Sequence, residues 1–496
     1  MAQLDPRTPV IVGTGQLTWR DDDAPSPLEL MTQVARHAAD DAGAAGLLQR
    51  LDSVAVVDIV SWPVPDPAAA LAAELGATPR ETVRSERGGT GPAELLGDLS
   101  QRIQDGEFDI ALIAGGEAFR PFKRATQAGE SLGWPTQPNG AAPTRSVGID
   151  RPPSHAVELG AGLIAPIFWY PLFETAVRKA AGRDPVAHEI WLGHLWARFA
   201  AVAAENEYAW TREPLGAETI TTISLANRAV SYPYPKLMNS NIEVDQAAAL
   251  LLCSAQAAQD AGVPRDRWVF VHAVGGGHDH WFPGERDALH RSPALRASGR
   301  AALGHAGVGI DDVGRLDLYS CFPSAVQVAA TELGIDLETD ERAPTVTGGL
   351  GFAGGPANDY VTHSLATLAA RLREDGGDAR GLATGVGWYL TKHAVTVLGA
   401  APPERPFARL DVQAEVDGLP SREIVGSVSG PAPVEAYTAL YDRDGTPTLG
   451  IVSCVLEDGR RTFARTDDAG TLASLLDGSE AIGRTAALDA AGGFAL

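Results

Sequence analysis

Cysteine is scarce: Cys253, Cys321 and Cys454 are the only three in 496 residues. An odd number at wide spacing excludes a disulfide framework and a structural zinc site, so any cysteine with a role acts as a thiol. Long apolar runs are missing too, and nothing reaches the unbroken length of a membrane span. The opening Met-Ala-Gln-Leu-Asp-Pro has neither a basic nor an apolar targeting region, and a cytoplasmic location is expected. Clusters of Lys and Arg are absent, while the formal net charge is -23. Such a chain repels phosphate backbones and anionic lipid, which excludes nucleic acid as an expected partner. The acidic residues are scattered through every region, as solubility alone requires.

What is present is a long chain with near-average apolar content, enough for two or three packed units. Ser26-Pro27-Leu28-Glu29 is a capping box with Pro at the first helical position, followed by apolar residues at helical spacing to Gly43. Arg50-Leu51-Asp52 then leads into a β-rich run, Val54 to Val60. The same order returns at Ser292-Pro293, Ala306-Gly307 and Arg315-Leu316-Asp317, at a nearly constant offset, which points to a duplicated half. A helix over 91–104 with a strand from Ile110 to Ala114 is matched by a helix over 361–374 and a strand near Leu382. Alternation of this kind predicts an α/β fold with mostly parallel sheets and ligands at strand C-termini.

Residues 120–235 interrupt the pattern with Trp134, Trp169, Trp191, Trp196 and Trp210, and read as a loop domain over the site, helical from Pro185 to Tyr208. The first half with this insertion spans 1–245, and the second 246–400. From 405 to 496 the pattern becomes period-two strands with Asp444-Gly445 and Asp458-Gly459 at hairpin turns, predicting a small antiparallel β barrel or sandwich. The Ala/Gly-rich stretch from Asp477 onward is expected to be a loosely docked tail.

Four segments carry a family resemblance. Leu318-Tyr319-Ser320-Cys321-Phe322 resembles the HDCF loop of sterol-carrier-type thiolases. Gly348-Gly349-Leu350 through Gly354-Gly355-Pro356 is similar to their GGL...GHP loop. Asn239 to Ala249 resembles the segment that begins the second half, and Gly385 to Val397 sits where the last glycine loop belongs. Over residues 7–400 the chain thus resembles the thiolase superfamily, and in particular the type-one thiolase-like proteins, whose extra C-terminal domain is similar to an oligosaccharide/oligonucleotide-binding barrel. The resemblance implies a duplicated αβαβα fold with two mixed sheets, a coenzyme A thioester or lipid-like ligand, and a place in lipid metabolism as a member of the acetyl-CoA acetyltransferase family.

It also implies what is missing. A thiolase takes the acyl group on a cysteine thiolate at a helix N-terminus; that position is Gly88, followed by Gly89. Thr90 and Ser85 are the nearest hydroxyls, expected to cap the next helix. The histidine of GHP is replaced by Gly355, beside Gly354, leaving only a backbone N–H for an anion hole. Cys321 matches the acid/base cysteine of HDCF, with Tyr319 in place of the histidine. Asn241 occupies the approximate place of a CoA-contacting serine. His393 follows the last glycine loop and is a further acid/base candidate, with Lys392 as a possible phosphate contact; Tyr360 and Tyr389 flank the glycine loops. His278-Asp279-His280 lacks a third ligand, so no metal is expected, and Gly13-Thr14-Gly15 lacks the third glycine of a dinucleotide fingerprint. Three functions stay open: an acyl-CoA-binding protein without thiolase activity, an acyl-CoA carbon-carbon lyase using Cys321 and Tyr319, and a scaffold whose C-terminal domain docks another protein.

Overall fold

A computed structural model describes residues 4–496. Its first half contributes strands Pro9–Thr18, Ser53–Val56, Glu81–Ser85, Ile110–Ala118 and Asp245–Ser254. They lie side by side in the order third, second, fourth, fifth, first, with the fifth antiparallel to both neighbours. The second half repeats the scheme without a counterpart of the third strand: Arg315–Asp317, Arg380–Gly387, Lys392–Gly399 and Val269–His278 take the places of the second, fourth, fifth and first, and Lys392–Gly399 is again antiparallel to both neighbours. Two halves with one unusual strand order are the structural form of the duplication read from the offsets. The half-sheets are not separate, because Val10 pairs with Phe270 and Ile11 with Val269, joining them into one continuous sheet.

Helices Pro27–Asp41 and Pro67–Glu74 cover the outer face of the first half and Pro293–Ala306 that of the second, with Pro323–Leu333 packed on Pro293–Ala306. Between the halves run Gly91–Gln104 and Tyr360–Asp375, each touching strands of both. The Ser26 capping box forms as read, and Ser292 accepts from the Leu295 N–H at the matching helix. Gly13 and Gly15 have a packing role: a Cβ on either would lie about 2 Å from a carbonyl oxygen of the Pro27–Asp41 helix.

The inserted region is built mainly of helices, Pro166–Ala180 and Pro185–Glu205 being the longest. Its Trp169 is fully buried, stacked on Phe173 and Tyr389 and edge-on to Phe463, so one side chain touches the insertion, the second half and the C-terminal domain. No helix among the described residues is long and apolar enough to cross a membrane.

The C-terminal region carries an antiparallel sheet in the order Arg461–Thr466, Pro447–Val455, Gly430–Tyr441, Thr485–Leu488, Phe494–Ala495, and its two end strands approach each other where the Arg465 N–H donates to the Gly492 carbonyl at 2.9 Å. One expectation there needs correction: the final stretch is not loose, because Thr485–Leu488 pairs with Gly430–Pro433 and Phe494 with Leu488, burying Phe494. The region's first strand, Ala408–Asp411, joins the main sheet alongside Val269–His278.

The strand expected over Val54 to Val60 ends at Val56, where the chain turns toward the buried Glu117. That carboxyl accepts from the Val60 N–H at 2.7 Å, the Ser61 N–H at 2.8 Å and the Ser61 hydroxyl. Burial outweighs these bonds and pushes its pKa up to about 7. A folded pKa above the unfolded value of about 4.3 gives stability that is full below pH 4 and is lost as pH rises through 7. Relative to Glu117→Gln, the wild type is expected to lose about 2 kcal/mol between pH 5 and pH 7. Urea unfolding of both proteins at the two pH values checks this; parallel behaviour rejects it.

Candidate active site

The strand Glu81–Ser85 enters the central helix Gly91–Gln104 through the turn Arg87-Gly88-Gly89-Thr90. Gly88 has φ +135, in the region that favours glycine. A Cβ there would meet the end of the Lys392 side chain at 2.8 Å, and one on Gly89 would lie 2.3 Å from the Tyr319 hydroxyl. Both bare positions therefore have their space filled by other side chains. Neither neighbouring hydroxyl caps the helix as expected: Thr90 Oγ1 is buried without a partner, and Ser85 Oγ accepts from the Asp58 N–H at 3.0 Å.

A cavity of about 330 Å3 opens over this turn and brings together Gly88, Gly89, Tyr319, Cys321 and Gly355. Tyr170, Asn358, Ile167, Ile242 and Trp388 complete its character: largely apolar walls with few polar atoms. No histidine lines it. Burial pushes the Cys321 thiol up to about 12, only partly offset by a hydrogen bond with Tyr170, so it is a neutral thiol at physiological pH. Burial likewise raises the Tyr319 and Tyr170 phenols above their ordinary range. Tyr170 donates to the Trp388 carbonyl at 2.8 Å, and its ring stacks on Phe322 with centroids 4.6 Å apart. The acid/base groups here are thus all neutral donors.

The backbone donors at the two glycines are already spent. The Gly88 N–H donates to Asn358 Oδ1 at 3.0 Å, and Asn358 Nδ2 in turn donates to the Asp58 carbonyl at 3.0 Å. The Gly355 N–H donates to the Asn241 carbonyl at 2.8 Å, so the anion-hole role left open for it is not available in this conformation. Asn241 acts through its backbone, its side chain accepting from the Glu243 N–H at 3.2 Å; Asn239 and Ser240 line the cavity in its stead. Gly354 lies outside the cavity, where a Cβ would sit 2.1 Å from Gln246 Oε1.

His393 is not part of this site. Fully buried, its Nε2 lies 3.0 Å from Ser292 Oγ, 3.0 Å from the Leu390 carbonyl and 3.3 Å from Asp279 Oδ2. Ser, His and Asp meet here, but one ring nitrogen serves all of them and Ser292 caps a helix, which is a structural knot rather than a catalytic relay. The Lys392 amine is engaged by protein carbonyls, donating to that of Arg87 and, at 2.9 Å, to that of Ile149. Tyr360 lies behind Tyr319, donating to Asp317 Oδ1 at 2.9 Å. Among the described residues no cluster suited to a metal ion occurs. Sequence reasoning missed Asn358 and Tyr170; Asn358 alone had a signal, as a polar residue three positions beyond Gly355.

Residues 411–492 match the family model of the thiolase-like protein type 1 additional C-terminal domain. No curated protein matches the chain. Among solved structures, a monomeric SCP2-thiolase-like protein type 1 from Mycobacterium smegmatis is 31% identical, with 98% of each chain covered and a TM-score of 0.83. The Ltp2-ChsH2(DUF35) aldolase is 18% identical, covering 80% of this chain and 98% of that one, with a TM-score of 0.60. An acetyl-CoA acetyltransferase from Syntrophomonas wolfei is 13% identical over 80% of this chain and all (100%) of that one, with a TM-score of 0.56. The last two share the fold alone. With the repeated halves, the glycine-lined cavity and the matched C-terminal domain, the chain belongs to the thiolase superfamily, among the SCP2-thiolase-like proteins of type 1.

Proposed function

We propose that this protein binds an acyl-CoA or a related lipid thioester and does not run the covalent thiolase cycle. One observation carries the reading: positions 88 and 355 bear no side chain, and their N–H groups are held by Asn358 and Asn241. A covalent cycle needs a thiolate, a base to make it and donors for the developing oxyanion. The only thiol at the cavity, Cys321, is pushed up to about 12 by burial and has no imidazole beside it in the lining. What remains is an apolar cavity of about 330 Å3, suited to the acyl end of a ligand.

The purified full chain is expected to bind acyl-CoA in calorimetry, yet to give no thiolysis of acetoacetyl-CoA with free CoA above a heat-killed control. Turnover overturns the reading, and so does failure to bind acyl-CoAs of any chain length.

A second reading has a specific observation in its favour: Tyr319 and Cys321 face the same cavity, and the aldolase named above shares the fold. In a carbon-carbon lyase they would act as proton donors. The cavity lining offers no matching base, because a phenol raised further above its usual range keeps its own proton and so cannot take another. Acyl-CoA lyase activity that is lost in Cys321→Ala or Tyr319→Phe would favour this reading over binding alone. A protein partner is the third possibility; pull-down with the intact chain tests it, and no recovered partner rejects it.

A further inference from the structure

A second cavity, of about 430 Å3, lies on the other side of Lys392. Its walls come from the central helix (Glu94), the loop at Ile149, the end of Val269–His278 and the strand Ala408–Asp411. That last strand precedes and enters the matched C-terminal domain, so the segment beyond the second half helps to form the cavity. Gly88 lines the first cavity while its bare Cα faces the end of Lys392, so this lysine stands between the two.

Lysine is rare here: Lys123, Lys179, Lys236 and Lys392 are the four in the chain, which otherwise relies on arginine. Lys392 alone is buried, at 3% exposure. Gly88 and Gly387 make room for it, since a Cβ on either would press on its Cε within 2.8 Å. No carboxylate reaches it within salt-bridge distance among the described residues; its hydrogen-bond partners are two carbonyls. Two acceptors satisfy both N–H groups of a neutral amine, whereas an ammonium would keep a third, buried and unpaired. Desolvation also lowers its pKa, against the opposing pull of Glu94, Asp150, Glu86 and Asp58. Glu94 faces the same cavity with its Oε2 buried and without a partner. His278 donates from Nδ1 to the Asp279 carbonyl at 2.8 Å.

We propose that Lys392 is a reactive amine in this second cavity, where it captures small aldehydes or ketones as an imine, with Glu94 relaying the protons. The nitrogen lone pair adds to the carbonyl carbon, forming the C–N bond. The oxygen takes up two protons in turn, one through Glu94, and leaves as water, while the nitrogen gives up its two hydrogens to become C=N. No oxidant or reductant is needed. Ile149, Val274 and Leu410 supply apolar walls for a short alkyl body. The proposal is independent of thioester binding, which concerns the other cavity.

The test treats the folded full chain at pH 7 briefly with butanal and sodium cyanoborohydride, which reduces an imine to a stable butylamine. Peptide mass mapping then compares the four lysines. Lys392 is expected to be labelled at least about tenfold faster than the exposed Lys123, Lys179 or Lys236. Leu410→Trp, which fills the cavity, should abolish labelling at Lys392 and leave the surface lysines unchanged; Glu94→Gln should slow it. Labelling of Lys392 no faster than the surface lysines, or unaffected by Leu410→Trp, overturns the proposal and leaves Lys392 as a structural clamp.

Discussion

Arg461→Met is expected to destabilise the protein by about 3–5 kcal/mol, the cost of breaking a buried ion pair from one side. The guanidinium is fully buried and forms a two-pronged pair with Glu435, at 2.8 Å and 2.6 Å. Both residues belong to the C-terminal sheet, but the remaining donors reach across to the second half. They bind the carbonyls of Gly284 at 2.9 Å, Arg286, and Asp287 at 3.2 Å. Methionine has the length but no donor, so the Gly284 and Arg286 carbonyls lose this partner, while the Asp287 carbonyl keeps only Arg422 and the Glu435 carboxylate only Ser453. The same stretch is anchored from its other side by Glu158, which accepts from the Gly284 N–H at 2.8 Å. Loosening is therefore expected to begin at the domain seam. Limited proteolysis should cut near residues 412–430 in the variant before the core is attacked, and urea unfolding should show the lower midpoint. A variant that unfolds with wild type would mean that Trp169 and its aromatic neighbours hold the domain without this peg.

Legibility in the sequence followed the range over which each signal acts. The helix start at Ser26 was readable because its capping box closes within four residues, and the hairpins at Asp444-Gly445 and Asp458-Gly459 because those glycines supply positive φ. The duplication was readable because a repeat keeps its spacing. Gly88, Gly89, Tyr319, Cys321 and Gly355 were found through motif order, and the cavity gathers them. What escaped depends on pairs some 270 to 305 residues apart: Asn358 holding the Gly88 N–H, and Lys392 reaching the Arg87 carbonyl. Neither has a local period or a composition signature. The placement of His393 escaped for a related reason. A histidine beside a glycine loop looks exposed on paper, yet alternation along the strand turns it away from Lys392 and into a polar knot with Ser292 and Asp279. The tail was misjudged because Ala/Gly-rich composition says nothing of the strand Gly430–Tyr441, whose first residues pair with the first of two short tail strands.

Gly88→Cys, which puts back the residue type that thiolases use, is expected to destabilise this chain by about 3–4 kcal/mol and to give no thiolysis. Two costs add. The backbone at φ +135 disfavours any residue with a Cβ, at roughly 1–3 kcal/mol. The new Cβ also meets Lys392 Cε and Nζ at 2.8 Å, and overpacking of this kind costs roughly a further 1–3 kcal/mol. Lys392 cannot swing clear without breaking its bonds to the Arg87 and Ile149 carbonyls, and Gly387 confines it on the other flank. The two positions are therefore coupled. In a Lys392→Ala background the cost of Gly88→Cys should fall by about 1–2 kcal/mol, a non-additivity that a double-mutant cycle in urea reads directly. Even then thiolysis should stay absent, because position 355 offers no imidazole and its N–H remains tied to Asn241. Additive energies would show that Lys392 does not occupy the nucleophile's space. Thiolysis in the Gly88→Cys single variant would show that the loss of one side chain, rather than the rebuilding of the site around it, separates this protein from an active thiolase.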